Sequence, residues 1–353
     1  MNLKIIAPFI ALAALTATAS AQPAMKDGGL HVLRVRDNIF MIVGGGGNTT
    51  VQTGEQGVLV VNTKEKRAAE DLLGTIRKIT AEPIGSVVTT HSHPALEGAS
   101  AESMAMRGRL NTIIRVVINT DSGVDQTGGN AVIGQAGKTV AGGNVTMDIT
   151  DATRGARIFA HENTLLRLSG AMTGKPAIEQ PGWPTSTFFG KQKAIFFNRE
   201  AVRMYYAPAA QTDGDLIVFF RRSDVISTGD LFNPALYPVI DLKSGGTIDG
   251  VIAALNHVID LSTPAFGQEG GTLIVPGHGH LSNYGEIVNY RDMVTVIRDR
   301  IRALIKQGKS LKQVKAARPS MDYDPVYGAT DGPWTTDMFI EAAYKSLMPK
   351  KKS

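Results

Sequence analysis

Asp121-Ser122-Gly123-Val124-Asp125-Gln126-Thr127-Gly128-Gly129-Asn130 is the stretch that decides how this chain is read. It ends the segment 114–130, which opens on the apolar, β-branched run Ile114-Arg115-Val116-Val117-Ile118 and closes on small and polar residues. A short apolar run giving way to such a stretch reads as a buried strand handing over to a loop, with Thr127-Gly128-Gly129-Asn130 leading into a helix. The segment has a counterpart thirty residues upstream: 84–100 aligns with 114–130 without gaps. Ile84/Ile114, Val87/Val117, Thr90/Thr120, Ser92/Ser122 and Gly98/Gly128 are identical. A constant offset of that size fits a repeated strand-plus-helix unit. The upstream copy carries His91 and His93 where the downstream copy has Asp121 and Gly123. It has Ala95 and Leu96 where the downstream copy has Asp125 and Gln126.

Outward from there, residues 30 to 62 read as consecutive short strands. His31 to Val43 is rich in Val and Ile, Thr49 to Thr53 is β-prone, and Val58 to Asn62 is nearly all apolar. Gly44-Gly45-Gly46-Gly47-Asn48 joins two of them; a phosphate cradle needs a helix directly after it, so a hairpin loop is expected. Residues 65–79 place Ala68, Ala69, Leu72, Leu73, Ile76 and Ile79 on one helical face, and Ile84 to Thr90 reads as a strand. Strands return at Lys193 to Phe197, Val202 to Ala207, Leu216 to Phe220 and Val225 to Thr228. Helices are expected over 248–260, 286–307 and 336–347, with a strand at Thr272 to Val275. Two strand-rich halves, each followed by helices, imply an α/β chain of two packed sheets with helices outside.

The chain has 353 residues, no cysteine and a formal net charge of +5. Without cysteine there is no disulfide framework and no thiolate to bind metal or attack a substrate. Part of the charge is the Lys350-Lys351-Lys352 run, read as a solvated tail; no basic strip is interleaved with aromatics, so no nucleic-acid partner is expected. Lys4, the apolar stretch Ile5 to Ala17 and Ala19-Ser20-Ala21 before Gln22 have the form of a secretory signal. The expectation is a periplasmic or secreted protein cleaved near Ala21. That apolar stretch is too short to span a bilayer comfortably, so no stable membrane anchor is expected. The expected organisation is a signal peptide at 1–21, a main domain at 22–285 and a C-terminal helical extension at 286–353 packed on it.

Several short sequences, in order and at suitable separations, resemble motifs of the metallo-β-lactamase superfamily. They are Thr127-Gly128-Gly129-Asn130, Ala209-Ala210-Gln211-Thr212-Asp213-Gly214-Asp215, Thr228-Gly229-Asp230 and Pro276-Gly277-His278-Gly279. Ala160-His161-Glu162-Asn163 and Phe219-Phe220-Arg221-Arg222-Ser223-Asp224 resemble a subgroup of exported members. The resemblance covers roughly residues 30 to 285 and implies an αββα sandwich of two mixed β-sheets with helices on the outer faces. It further implies one or two metal ions, usually zinc, at strand ends. Their ligands come from an H-x-H-x-D-H motif, a later His, the Asp of T-G-D and the His of P-G-H-G. Such an ion lowers the pKa of bound water to about 7 and polarises a carbonyl.

The motif is altered here. Asp125 survives from it, Asp121 could still ligate a metal, Gly123 has no side chain to offer and Gln126 has at best an amide oxygen. The later His is Gln211, and Asn62-Thr63-Lys64 stands where the family has Asp-Thr-Gly, losing a charge that helps orient the ligands. The resemblance therefore implies that the three-His site is lost and that Asp125, Asp230 and His278 remain. Two carboxylates and one imidazole suit a single ion, zinc first, with manganese or iron as alternatives. The competing reading is that these residues are relics held by hydrogen bonds, with no metal.

The repeat leaves two explanations open: either 84–100 or 114–130 occupies the motif position, the second favoured because Thr127-Gly128-Gly129-Asn130 leads into the expected helix. Adjacent strands lie about 4.8 Å apart, so both strand ends can converge and add His91 and His93 to the site. His31 and His257 lack motif context, His161 has a capping position before a helix, and His280 reads as a loop residue.

Two functions follow. One is a metal-dependent hydrolase of a small-molecule ester, lactone, amide or lactam, with a metal-bound hydroxide attacking the carbonyl and Asp125 as base or water-orienting group. The other is a catalytically inactive descendant that binds a ligand or partner in the inherited cleft. A serine hydrolase is disfavoured because no G-x-S-x-G elbow is present.

Overall fold

The computed structural model describes residues 29–81, 112–139, 155–262 and 270–349. The expected signal sequence, the strand at 84–90 with His91 and His93, and the lysine tail lie outside the described residues.

Four strands open the first sheet as an antiparallel meander: β1 (His31–Arg36), β2 (Ile39–Val43), β3 (Thr49–Gln52) and β4 (Val58–Val61). The run from His31 to Val43 folds as two strands because Asp37, at φ 44°, turns the chain back. The glycine run joins β2 to β3 as a hairpin loop. A helix, α1 (Ala69–Ala81), then buries Leu72, Leu73 and Ile76. β5 (Ile114–Ile118) follows, then α2 (Val124–Thr127), α3 (Asn130–Gln135), β6 (Arg157–His161), α4 (Glu162–Leu168) and β7 (Ser186–Phe188). β5 lies parallel beside β4, and β6 and β7 extend the sheet in parallel. The strand of segment 114–130 is therefore the one paired with β4.

The second sheet begins with β8 (Gln192–Phe197), β9 (Glu200–Ala207), β10 (Asp215–Phe220) and β11 (Val225–Gly229), again an antiparallel meander. After α5 (Ile248–Leu261), β12 (Leu273–Pro276) returns parallel to β11, and β13 (Ser282–Asn283) closes the edge. Four helices end the described chain: α6 (Tyr284–Lys306), α7 (Leu311–Ala316), α8 (Asp324–Tyr327) and α9 (Thr336–Leu347). The helix expected from 286 starts two residues earlier because Asn283 and Glu286 form a reciprocal capping box.

Side-chain alternation assembles the layers. Leu59 and Val61 of β4 point inward to meet Leu216, Val218 and Phe220 of β10 between the sheets. Val58 and Val60 point outward onto Leu72 and Ile76 of α1. Ile217 and Ile226 point out of the second sheet onto α5, α6 and α9. β4, buried on both faces, is apolar at every position, whereas the helices keep one apolar stripe. The result is an αββα sandwich of two mixed sheets. Among the described residues, no helix is long and apolar enough to cross a membrane.

A buried carboxylate ties the sheets together. Glu200 on β9 accepts from the Gln52 side chain on β3, from the Arg222 and Ser223 amides and from the Ser223 hydroxyl. Glu200→Ala strands these donors, each costing about 1–3 kcal/mol if water cannot replace the acceptor. We expect a loss of about 3 kcal/mol in denaturant unfolding; an unchanged midpoint would mean that water satisfies them.

Candidate metal centre

β11 and β12 are parallel neighbours, so their C-terminal ends deliver Asp230 and His278 side by side. Gly229 makes the turn at φ 53°, and a Cβ there would collide with the Thr120 side chain of the facing sheet. Asp125 arrives from that facing sheet, in the first turn of α2 beyond the end of β5. The two sheets are joined at this point by the Leu216 amide donating to the Thr120 carbonyl at 2.6 Å.

His278 Nε2 lies 2.9 Å from Asp125 Oδ2 and 3.5 Å from Asp230 Oδ1. One donor atom from each of the three residues falls within 4.8 Å of the others, the one such cluster of three His, Cys, Asp or Glu residues among those described. Burial pushes Asp230 up to about 6, and the Asp125 charge adds to this while His278 opposes it. The hydrogen bond to Asp125 raises His278, with burial opposing and Asp230 reinforcing.

Two glutamines complete the surroundings of Asp230. Gln126 Nε2 donates to Asp230 Oδ1 at 2.6 Å, and the Gln211 side chain also hydrogen-bonds to Asp230. The amide oxygens of both glutamines are buried without a partner. The sequence gives Gln126 as a weak oxygen ligand; the structure shows its nitrogen engaged and its oxygen spare. Gly123 sits where a Cβ would come within 2.6 Å of Asp125 Oδ1 and 2.9 Å of Asp121 Oδ1. The absent side chain is thus what lets both carboxyls occupy this space.

Asp121 lies beside the cluster and outside it. Its Oδ2 accepts from Thr120 Oγ1 at 2.8 Å and its Oδ1 from the Gly123 amide at 2.7 Å. Burial, with Asp230 and Asp125 adding, pushes its carboxyl up to about 8. Asn62 holds this arrangement by donating to Thr120 Oγ1 at 2.8 Å and accepting from the Thr120 amide at 2.9 Å. Asn62 acts on Asp121 through Thr120, and no carboxylate is needed for that. Lys64 is fully buried and donates to the Ile42 and Gly47 carbonyls at 2.8 and 2.6 Å. It pins the glycine loop from below, and burial pushes it down to about 7. Asn48 ties the same loop to the His278 turn through its amide on the Gly277 carbonyl and its side chain on Pro276 and Gly279.

The cluster opens into a cavity of about 580 Å³, in the range of small-molecule sites. Its wall includes Leu236, Val239, Pro333 and Trp334 as well as Gln211 and the three clustered residues. The structure therefore brings together Asp125, Asp230, His278 and Gln211, sets Asp121 alongside, and leaves His91 and His93 outside the described residues. His161 caps α4 by accepting from the Asn163 amide and stacks on Tyr206, and His280 pairs with Glu286. Asn48, Lys64 and Trp334 were not singled out as site residues. The departure at Lys64 from the family pattern was a legible signal for one of them; Trp334, far beyond the last motif, had none.

Comparison with family models and with curated proteins finds no match. Solved structures do match in fold. The stereoselective inverting sec-alkylsulfatase Pisa1 from Pseudomonas sp. has a TM-score of 0.58 at 13% identity, over 90% of this chain and 50% of that one. The DIM-1 metallo-β-lactamase has a TM-score of 0.50 at 14% identity, over 76% of this chain and 97% of its own. A metallo-β-lactamase from Pontibacter korlensis has a TM-score of 0.50 at 12% identity, over 75% of this chain and 99% of its own. The chain thus spans about half the length of the alkylsulfatase. At such identities the likeness concerns architecture, and the architecture agrees with the motifs: the fold is that of the metallo-β-lactamase superfamily.

Proposed function

We propose that the protein is a metal-dependent hydrolase of an ester, lactone, amide or lactam, with Asp125, Asp230 and His278 holding a single ion. The observation that carries this reading is the convergence of their donor atoms within 4.8 Å at the mouth of a cavity. Donors bonded to one ion at about 2 Å lie some 3 to 4 Å apart, and His278 Nε2 lies 2.9 and 3.5 Å from the two carboxylates. The spare amide oxygens of Gln126 and Gln211 add hard donors nearby, which suits zinc, manganese or iron. When bound, such an ion acidifies water and polarises a carbonyl. Asp125, with one oxygen turned to His278, has a second with which to orient the attacking water and accept its proton. Gln126 and Gln211 fix the Asp230 carboxylate in place, and the raised pKa of His278 falls away once its Nε2 ligates in the neutral form. We place this activity outside the cytoplasm on the strength of the N-terminal signal pattern.

One observation favours a second reading, a protein that binds without catalysis. The same two amides already satisfy Asp230 by hydrogen bonding, as they would in a retired site. Metal content separates the two. Protein purified without added metal should hold about one equivalent by elemental analysis, and zinc at 100 times its Kd should stabilise the metal-free form by about 2.7 kcal/mol. A metal-free protein that gains no stability from zinc, manganese or iron would falsify the hydrolase.

A further inference from the structure

The cavity at the cluster has an apolar wall that the ligand-bearing motifs do not supply. Leu236, Tyr237 and Val239 come from the segment after Asp230, and Pro333 and Trp334 from the turn that leads into α9. That turn is held in place: the Thr336 amide donates to the Ala329 carbonyl at 2.9 Å, and the Ala329 amide donates to Thr336 Oγ1 at 3.0 Å. Trp334 also packs against the core beneath the second sheet. Beyond it lies a second cavity of about 790 Å³, which shares Gln211, Val239 and Trp334 with the first. Trp334 thus lines both. Among the described residues no Lys or Arg lines the first cavity, so nothing there would recognise a distal anion.

We propose that this wall is the subsite for an uncharged apolar group on the substrate, an unbranched alkyl chain or a phenyl-sized substituent, and that Trp334 supplies an apolar face for it. The location of that group next to the cleaved bond rests on the hydrolase reading; the subsite itself does not. An apolar chain entering here leaves water for Leu236, Val239, Pro333 and the indole face, while its polar end stays at Asp230 and His278. Each buried methylene then adds to binding by a roughly constant factor.

The chain's two tryptophans make the test direct. Trp183 lines a different cavity and donates to the Ile178 carbonyl, so Trp183→Phe leaves Trp334 as the only indole reporter. Titration of that variant with acetate, butanoate, hexanoate and octanoate, once with zinc and once with a chelator, reads both parts separately. Affinity should rise about three- to fourfold per methylene in both series, with Trp334 emission changing along the same curve. Trp334→Ala, read by calorimetry, should lose at least about tenfold of the octanoate-to-acetate ratio. Leu236→Ser, at a partly exposed wall position, should lose a smaller part of it and covers the case in which Trp334→Ala does not fold. Affinities that do not grow with chain length, or a ratio unchanged in Leu236→Ser, overturn the subsite. Acetate affinity indifferent to zinc overturns the hydrolase reading and leaves the subsite standing.

Discussion

Asp230→Asn should lower zinc affinity by at least about 100-fold and hydrolysis by at least about 10³-fold, the latter about 4 kcal/mol of barrier. Asp230 is the hub of the cluster: His278, Gln126 and Gln211 all address its carboxylate. An asparagine oxygen in its place keeps the shape and loses the charge that neutralises the ion. With a chelator present the sign reverses. The buried carboxyl, pushed up to about 6, is costly to ionise when no ion balances it, and asparagine removes that cost. Gln126, whose amide oxygen has no partner, can turn its amide and accept from the new Nδ2. The chelated variant should therefore melt at or above the wild type at pH 8. Competition with a chromophoric chelator, ester hydrolysis and thermal melts read the three effects. Unchanged zinc affinity would sink the three-donor site; a variant less stable in chelator would show Asp230 kept for its hydrogen bonds.

The metal-free protein should lose stability as pH rises from about 4 towards 8. Burial is the first cause of raised carboxyl pKa values at Asp121, Asp215 and Asp230, to about 8, about 7 and about 6, from an ordinary 3.8. Each holds its proton more tightly folded than unfolded. The stability this provides is complete below pH 3.8 and is lost as pH climbs through the folded values. His278, also raised, acts in the same sense. Lys64, pushed down to about 7 by burial, acts in the opposite sense but only above that pH, so the fall is steepest between about 4 and 7. Asp215 alone, shifted by about three units, accounts for on the order of 4 kcal/mol. Bound zinc compensates the ionised Asp230, so the zinc-loaded protein should fall less. Denaturant midpoints at pH 5, 6, 7 and 8, with chelator and with zinc, measure both. A chelated protein that gains stability from pH 5 to 7 would contradict the assignment of these groups as buried and ionised at a cost.

Much of the scaffold was legible because it is periodic. The unbroken apolar run Val58-Leu59-Val60-Val61 and the three-four spacing of Ile287, Tyr290, Val294, Ile297 and Ile301 are local facts, and the structure buries all of these side chains. β6 was missed because Ile158 is its only β-branched residue. Asp125, Asp230 and His278 were legible through resemblance to a family, and residues far apart in the chain meet because β11 and β12 are parallel and β5 faces them.

By itself, then, the sequence determined the order of elements and which residues carry imidazole, carboxyl or amide groups, since both are properties of neighbours along the chain. The tertiary structure decided everything that depends on neighbours in space. It set Asp121 beside the cluster, held by Thr120 and the Gly123 amide, turned the Gln126 nitrogen to Asp230, and drew Trp334 from beyond the last motif to the cavity wall. Desolvation and charge–charge distance set those outcomes, and neither can be read from spacing along the chain. What remains of the motif is thus a compact two-carboxylate, one-imidazole cluster, already hydrogen-bonded and poised beside an apolar wall.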